Sequence, residues 1–166
     1  MSDFNFSGFS SAALHTSENN DSNAHLTPIY ATSTFTFDTA EQGMERFASI
    51  DKERIYTRWG NPTFKAVEET IAALEAFGLK DENGNPLKLK ALLHASGQAA
   101  MATMFLANLQ AGDAVLSHYS LYGGTYELMH KVLQDAGIKI IIADLRDLNI
   151  VEESLKNNPT IKLVHL

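Results

Sequence analysis

Hydrophobic and polar positions alternate in a regular order along the second half of the chain. Four short apolar segments predict strands, namely KALLHA (90–95), AVLSH (114–118), IKIIIAD (138–144) and TIKLVHL (160–166). Between them, apolar residues recur at helical spacing over 96–109, 123–136 and 147–158. Strand, helix and strand in succession predict an α/β fold, with a mostly parallel sheet and covering helices.

The pattern also predicts which elements are buried. The segment 96–109 is apolar on nearly every side and is expected to be a buried helix. The segment 123–136 places Tyr126, Met129, Leu133 and Ala136 on one face of a helix. The unbroken isoleucine run within 138–144 is typical of a buried strand in a parallel sheet.

The first part of the chain is less regular. Residues 1–30 are polar and mixed, which predicts an arm and no core element, and ATSTFTF (31–37) alternates as an extended segment does. Asp38 and Thr39 can cap a helix over 40–48. A further helix starts after Asn61, with Pro62 in its first position, and ends at Gly78. We expect two domains, 1–60 and 61–166.

Composition excludes several classes of function. The net charge is -7 and the basic residues are scattered, which argues against nucleic-acid binding. There is no cysteine, which excludes disulfides, thiolate metal sites and a cysteine nucleophile. The start lacks a signal-peptide pattern and no apolar stretch is long enough to cross a membrane, so we expect a cytoplasmic protein. The chain stops on an apparent strand, so we expect a fragment of a longer polypeptide.

The first candidate site is SGQAA (96–100), where a predicted strand leads into a helix. Backbone N–H groups at a helix N-terminus bind phosphate readily, and Gly97 would let an anion approach the backbone between Ser96 and Gln98. Taken alone, the segment is better explained by a serine cap followed by a turn. It matches neither common glycine-rich phosphate fingerprint.

The second candidate is IYTRWGNPT (55–63). In an extended segment, Tyr56 and Arg58 would point to the same side and could clamp a phosphate or a carboxylate. The competing interpretation is a surface arginine that pairs with Asp51 or Glu53.

The third candidate is Tyr122 in LYGGTY (121–126), where a strand leads into a helix. Ligands of open α/β sheets bind at the carboxyl ends of strands, and a tyrosine there can stack on a flat ring and move a proton. It is equally well explained as an exposed turn tyrosine. The histidines show no metal-ligand spacing, and we expect no metal site.

Together these segments resemble the Cys/Met-metabolism family of pyridoxal-phosphate enzymes, the trans-sulfuration enzymes of the aspartate-aminotransferase (type I) fold. LTPIYATSTFTF, YTRWGNPT, SGQAA and LYGGTY are similar to four family motifs, in the family order and over nearly the whole chain. Gln98 stands where methionine is commoner. The resemblance implies an N-terminal arm followed by the first part of the large cofactor-binding domain.

The resemblance implies roles for the candidate residues. Ser96, Gly97 and Gln98 would bind the cofactor phosphate within the subunit, and Tyr56 and Arg58 would bind the phosphate of the neighbouring subunit. The protein would then be at least a dimer, with a homotetramer expected. Tyr122 would stack on the pyridine ring and assist proton transfer at the leaving group.

The resemblance also implies the activity. Family members catalyse γ-replacement or γ-elimination on homoserine esters, cystathionine or methionine, and Gly124 in place of the cysteine usual in methionine γ-lyases slightly favours the homoserine-ester reactions. The lysine that forms a Schiff base with the cofactor, the aspartate at its ring nitrogen and the arginine for the substrate carboxylate are expected beyond Leu166. The 166 residues alone are therefore expected to be inactive. The alternative is a non-catalytic module that binds a phosphorylated ligand.

Overall fold

The computed structural model describes residues 8–16, 23–49 and 54–166. The chain forms two compact units, residues 1–93 and 94–166, and each is treated by itself. The domain boundary expected after residue 60 concerns the cofactor-binding part of the family fold and stays a prediction. No helix among these residues combines the length and apolar character needed to cross a membrane.

The described residues of the first unit form three helices: α1 (Phe9–His15), α2 (Ala40–Ala48) and α3 (Pro62–Glu75). The predicted caps of α2 and α3 are confirmed. The Thr39 hydroxyl accepts a hydrogen bond from the Gln42 N–H group, and the Asn61 side chain accepts one from the Thr63 N–H group. Gly78 has a φ of 75°, which favours glycine and ends the helical region.

The expectation that residues 1–30 contain no core element is wrong for residues 9–15, while the N-terminal arm stays a prediction. Helix α1 packs against α3, Ala12 is 2% exposed, and the rings of Phe9 and Phe77 meet edge to face with centroids 5.6 Å apart. The reason is that Phe9 and Ala12 are three positions apart and share one face of a short helix. Most of the polar stretch that follows α1 lies outside the described residues.

The segment 31–37 is extended and pairs antiparallel with 55–57, as predicted for its alternating pattern. The Thr57 N–H group donates to the Ser33 carbonyl at 2.8 Å, and the Phe35 N–H group donates to the Ile55 carbonyl at 3.2 Å. Ile55 is 5% exposed. This pairing fixes the start of the IYTRWGNPT segment.

The second unit is a parallel α/β unit, which confirms the predicted fold class. Its elements are α4 (Gly97–Asn108), β1 (Ala114–His118), α5 (Gly123–Glu127), a π-helical turn (Leu128–Leu133), β2 (Lys139–Ala143), α6 (Leu148–Asn157) and β3 (Ile161–His165). The strand order is β2-β1-β3, and both pairings are parallel. The helices and the sheet enclose one apolar cluster, built by Phe105, Leu109, Val115, Met129, Leu133 and Ile138.

The predicted strand over 90–95 is absent, which leaves three of the four expected strands. Leu92 is 69% exposed, and no strand in the described part of the chain runs beside it. The Leu93 N–H group instead donates to the Glu68 carboxylate at 2.7 Å. A strand forms only where a neighbouring strand pairs with its N–H and carbonyl groups. The apolar pattern over 90–95 therefore predicts a strand that the structure does not contain.

Helix α4 is less buried than its composition predicts. Phe105 faces the sheet and is fully buried, whereas Leu106, one position further, is 53% exposed. Strand β2 likewise lies at an edge, where Ile142 is 40% exposed, and the central buried strand is β1. In both cases one face packs within the unit and the other has no covering element among the described residues.

Helical structure covers residues 123–133 of the predicted 123–136, and its buried face differs from the prediction. Met129 and Leu133 are fully buried as predicted, whereas Tyr126 is 49% exposed and Thr125 is buried in its place. The chain widens into a π-helical turn over Leu128–Leu133, which takes more residues per turn than an α-helix. The buried positions therefore fall four residues apart, at Thr125, Met129 and Leu133, and Ala136 is exposed.

Candidate functional site

Tyr56 and Arg58 lie side by side in the first unit. The guanidinium carbon of Arg58 lies 5.5 Å from the centre of the Tyr56 ring and 5.7 Å from the centre of the Trp59 ring. The predicted proximity is therefore present, but a turn produces it and not an extended strand. The N–H groups of Trp59 and Gly60 both donate to the Tyr56 carbonyl, at 2.8 and 3.2 Å.

The Arg58 guanidinium is exposed on a concave aromatic surface. Its neighbours there include Phe37, Phe47 and Trp59. No carboxylate within the described ranges pairs with Arg58, while Asp51 and Glu53, its alternative partners, lie outside them. Cation–π contacts hold the guanidinium plane and leave its N–H groups free to face an anion.

The Asn-Pro-Thr sequence serves structure more than chemistry. The buried Asn61 amide donates to the Tyr30 carbonyl at 3.0 Å and to the Thr57 hydroxyl at 3.1 Å. The Thr63 hydroxyl donates to the Pro28 carbonyl at 3.0 Å and accepts from the Tyr30 N–H group at 2.9 Å. These bonds join the PIY and NPT segments, a link that cap preferences alone did not predict.

The N-terminus of α4 in the second unit leaves two main-chain donors free. The Ala99 and Ala100 N–H groups bond back to the Ser96 hydroxyl and carbonyl, at 3.1 and 3.0 Å. The N–H groups of Gly97 and Gln98 have no acceptor within the described unit. A Cβ atom at Gly97 would meet nothing within 4 Å, so the approach to these donors is open.

Tyr122 lies at the turn between β1 and α5 and is 75% exposed. Its ring folds back over Gly124, where an added Cβ atom would lie 2.7 Å from the ring carbon Cε1. The same added atom would lie 2.9 Å from the amide nitrogen of Gln98. The start of α4 and the Tyr122 turn therefore adjoin, and the structure brings together the candidate residues of this unit: Ser96, Gly97, Gln98 and Tyr122.

Four side chains next to this turn form a closed ring of contacts that sequence reasoning missed. The rings of His118 and Tyr119 contact each other at a tilt of 44° with centroids 4.3 Å apart, and the Arg146 guanidinium lies 5.8 Å from the Tyr119 ring centre. Two Arg146 nitrogens donate to the Asp144 carboxylate at 2.8 and 2.7 Å, and Asp144 lies 3.9 Å from His118. The bonds from Arg146 lower the pKa of Asp144 to about 2.

The histidines in strands β1 and β3 each contact a residue far away in the sequence. The His118 Nδ1 atom accepts a hydrogen bond from the Leu145 N–H group at 3.1 Å. The His165 Nδ1 atom lies 3.1 Å from the hydroxyl of the fully buried Ser117. Burial lowers the pKa of His165. Neither contact was predictable, because each depends on the register of two parallel strands.

Comparison with known proteins extends this description. The family model for the Cys/Met metabolism PLP-dependent enzymes matches residues 10–166. The L-methionine gamma-lyase of Treponema denticola is 39% identical over 160 residues, covering 96% of this chain and 37% of that protein. The O-acetyl-L-homoserine sulfhydrylase of Corynebacterium glutamicum is 34% identical over 142 residues, covering 84% of this chain and 30% of that protein.

Solved structures give the same result. A Campylobacter jejuni protein assigned as an O-acetylhomoserine (thiol)-lyase, which carries a pyridoxyl-lysine phosphate, matches with a TM-score of 0.78 and 26% identity, over 96% of this chain and 36% of that one. The cystathionine gamma-lyase of Lactobacillus plantarum in complex with L-serine matches with a TM-score of 0.74 and 32% identity, over 95% and 36% of the two chains.

The chain thus spans little more than a third of the length of the relatives that it matches. The order of the four motifs, the family match over residues 10–166 and the parallel α/β unit agree. The chain belongs to the family of Cys/Met metabolism enzymes that depend on pyridoxal phosphate.

Proposed function

We propose that the full polypeptide is a pyridoxal-phosphate enzyme that catalyses γ-elimination or γ-replacement on homoserine esters, cystathionine or methionine. The observation that carries this proposal is the arrangement of residues at the N-terminus of α4. There, two free main-chain donors adjoin an exposed tyrosine, Tyr122, through the contact of Gln98 with Gly124. The main-chain N–H groups can donate hydrogen bonds to a phosphate, and the Tyr122 ring can stack on a flat ring. Pyridoxal phosphate contains both a phosphate and a flat ring.

The residues present fit the cofactor phosphate. The N–H groups of Gly97 and Gln98 would donate to phosphate oxygens, and the Ser96 hydroxyl can donate as well, since its oxygen already accepts from Ala99. Helix α4 has no acidic residue in its first turn that would repel an anion. When bound, the cofactor supplies the electron sink for breaking bonds at the α and β carbons of an amino acid.

Tyr122 would perform two tasks. Its ring would hold the cofactor ring from one face, and its hydroxyl would transfer a proton to the departing γ-substituent. General acid catalysis of this kind contributes about 10²- to 10⁴-fold to a rate. Replacing Tyr122→Phe keeps the ring and removes the proton, so kcat should fall while the affinity for the cofactor is kept.

Tyr56 and Arg58 would contact the phosphate of a neighbouring subunit, which makes a homo-oligomer part of the proposal. Mixing two inactive variants tests this: Arg58→Ala and Tyr122→Phe subunits, refolded together, should regain activity in about a quarter of the sites by random pairing. If both residues act within one subunit, the mixture stays inactive.

The substrate is best decided by assay. The similar relatives include both methionine gamma-lyases and O-acetyl-L-homoserine sulfhydrylases, so similarity does not separate elimination from replacement. We propose to supply the full-length protein and pyridoxal phosphate with L-methionine, with cystathionine, and with O-acetyl-L-homoserine plus sulfide, and to measure oxo-acid and thiol products. Turnover of none of them, with cofactor bound, would favour the non-catalytic phosphate-binding module.

Two further expectations belong to the same proposal. Residues 61–166 would form the first part of the cofactor-binding domain, although the compact units divide after residue 93. The protein would be cytoplasmic, which cell fractionation with an antibody would test.

A further inference from the structure

Gly124 lies at the point where two candidate site residues converge. An added Cβ atom there would lie 2.7 Å from Cε1 of Tyr122, 2.9 Å from Nε2 of Gln98 and 3.2 Å from Cδ of Gln98. Two of these distances are shorter than real side-chain contacts. A side chain at position 124 and the observed positions of Tyr122 and Gln98 therefore exclude one another.

We propose that Gly124 and Gln98 are positioning residues that together set the orientation of the Tyr122 ring. This inference rests on the proposed function, because it assigns the pair a task only if Tyr122 acts at the cofactor. Gly124 provides the space into which the ring folds. Gln98 limits that space from the side of α4, so that the ring rests between its own turn and a carboxamide.

The requirement at position 124 is steric and not conformational. Gly124 has no positive φ, whereas the glycines at 78, 84, 112 and 137 do. Alanine could adopt its backbone conformation, and helix preference favours alanine over glycine in α5. The atoms that would collide belong to rotatable side chains, so the expected consequence is displacement of Tyr122 and Gln98 with little change in the fold.

The Gln98 carboxamide is a specific feature of this arrangement. It makes no hydrogen bond to any other described residue, and it borders the same point as the tyrosine ring. Backbone N–H groups bind the phosphate in the proposed site, so the side chain of Gln98 is available for this second task.

The neighbouring Gly123 is a matched control. An added Cβ atom there would meet nothing within 4 Å, and its φ is not positive either. The variants to compare are Gly124→Ala, Gly123→Ala, Gln98→Ala and the double change Gly124→Ala with Gln98→Ala, all in the full-length protein. Two properties are measured: the NMR shift of Tyr122 labelled at Cζ in the cofactor-free protein, and kcat with pyridoxal phosphate bound.

Gly124→Ala should shift the Tyr122 signal and lower kcat at least about tenfold, since a displacement near 1 Å can cost 10²-fold. Gly123→Ala should leave the signal in place and kcat within about twofold. Gln98→Ala alone should move the signal, and the double variant should recover part of the kcat lost in Gly124→Ala, because it removes one of the two collisions.

The proposal is overturned if Gly124→Ala and Gly123→Ala give the same Tyr122 signal, or if the effects of positions 98 and 124 simply add. Should Gly124→Ala fail to fold, the unchanged signal of a folded Gln98→Ala protein would overturn it as well. A wild-type protein without activity would instead contradict the proposed function. Even then, the Tyr122 NMR signal of the cofactor-free protein would test whether positions 98 and 124 set the orientation of the ring.

Discussion

The Asn61 side chain donates a hydrogen bond to the Tyr30 carbonyl at 3.0 Å and joins two segments that are 31 residues apart. The same amide donates to the Thr57 hydroxyl, and its oxygen caps α3 through the Thr63 N–H group. Asn61 is 3% exposed. One side chain thus holds the start of α3, the PIY segment and the turn that carries Arg58.

Replacing Asn61→Ala should destabilise the protein by about 2–4 kcal/mol, because it removes a helix cap and leaves three partly buried partners without their hydrogen bonds. Thr39→Ala is the matched control, since the exposed Thr39 caps α2 through one bond to Gln42. That change should cost about 1 kcal/mol. Urea unfolding of the full-length variants measures both, and equal costs would mean that Asn61 is a cap and no more.

Gly137→Ala should be more destabilising than Gly84→Ala. Both glycines have a positive φ, 81° and 83°, so each change costs about 1 kcal/mol in backbone strain. At Gly137 the new Cβ atom would also lie 3.1 Å from the Ala111 Cβ atom, whereas Gly84 is open. The Gly137 carbonyl accepts from the Gly112 N–H group at 2.9 Å, which prevents the two turns from separating. Thermal melts that rank the two variants equally would contradict this contact.

The Asp144 carboxylate should titrate near pH 2. Its pKa is lowered from 3.8 to about 2, chiefly by the hydrogen bonds from Arg146. Because the folded state holds the proton less tightly than the unfolded state, this pair stabilises above about pH 4 and loses its effect as pH falls towards 2. Carboxylate NMR of the folded protein measures the midpoint. In the Arg146→Gln variant the midpoint should return towards 3.8, and an unchanged midpoint would assign the shift to another cause.

His165 should make the fold sensitive to mild acid. Burial lowers its pKa below 6.5, so the unfolded chain takes up the proton first, and stability falls as pH drops from about 6.5 through the folded pKa. His165→Phe keeps a ring against Phe105, whose centroid is 5.6 Å away, and should flatten this part of the pH profile. Ser117→Ala is the control that keeps the titrating ring. Identical slopes for all three proteins between pH 5 and 7 would exclude His165 as the cause.

Local signals in the sequence predict local structure well. Asn61 with Pro62 gives the start of α3, Gly78 its end, and Ser96 the start of α4, because caps and left-handed glycines act through bonds to near neighbours. The strands β1, β2 and β3 follow from their apolar runs. The failures are of another kind. The run 90–95 has no partner strand, and the π-helical turn at Leu128 changes a face that depends on tertiary packing.

The candidate site shows the same division. The free donors at Gly97 and Gln98 follow from helix chemistry, and Tyr122 from its place after a parallel strand. The close approach of Tyr122 and Gln98 to Gly124 involves two elements and is visible only in three dimensions. In the sequence, Gly123 and Gly124 are simply two adjacent glycines after Tyr122. The sequence does not show that Gly123 is open and that Gly124 is close to two side chains.

The central claim is that the N-terminus of α4 holds the phosphate of pyridoxal phosphate beside Tyr122. A crystal structure of the full-length protein with the cofactor tests it most directly. The account predicts phosphate oxygens at about 2.7–3.2 Å from the N–H groups of Gly97 and Gln98, with a neighbouring subunit providing Arg58. A phosphate bound elsewhere, with these two donors facing water, would contradict the account.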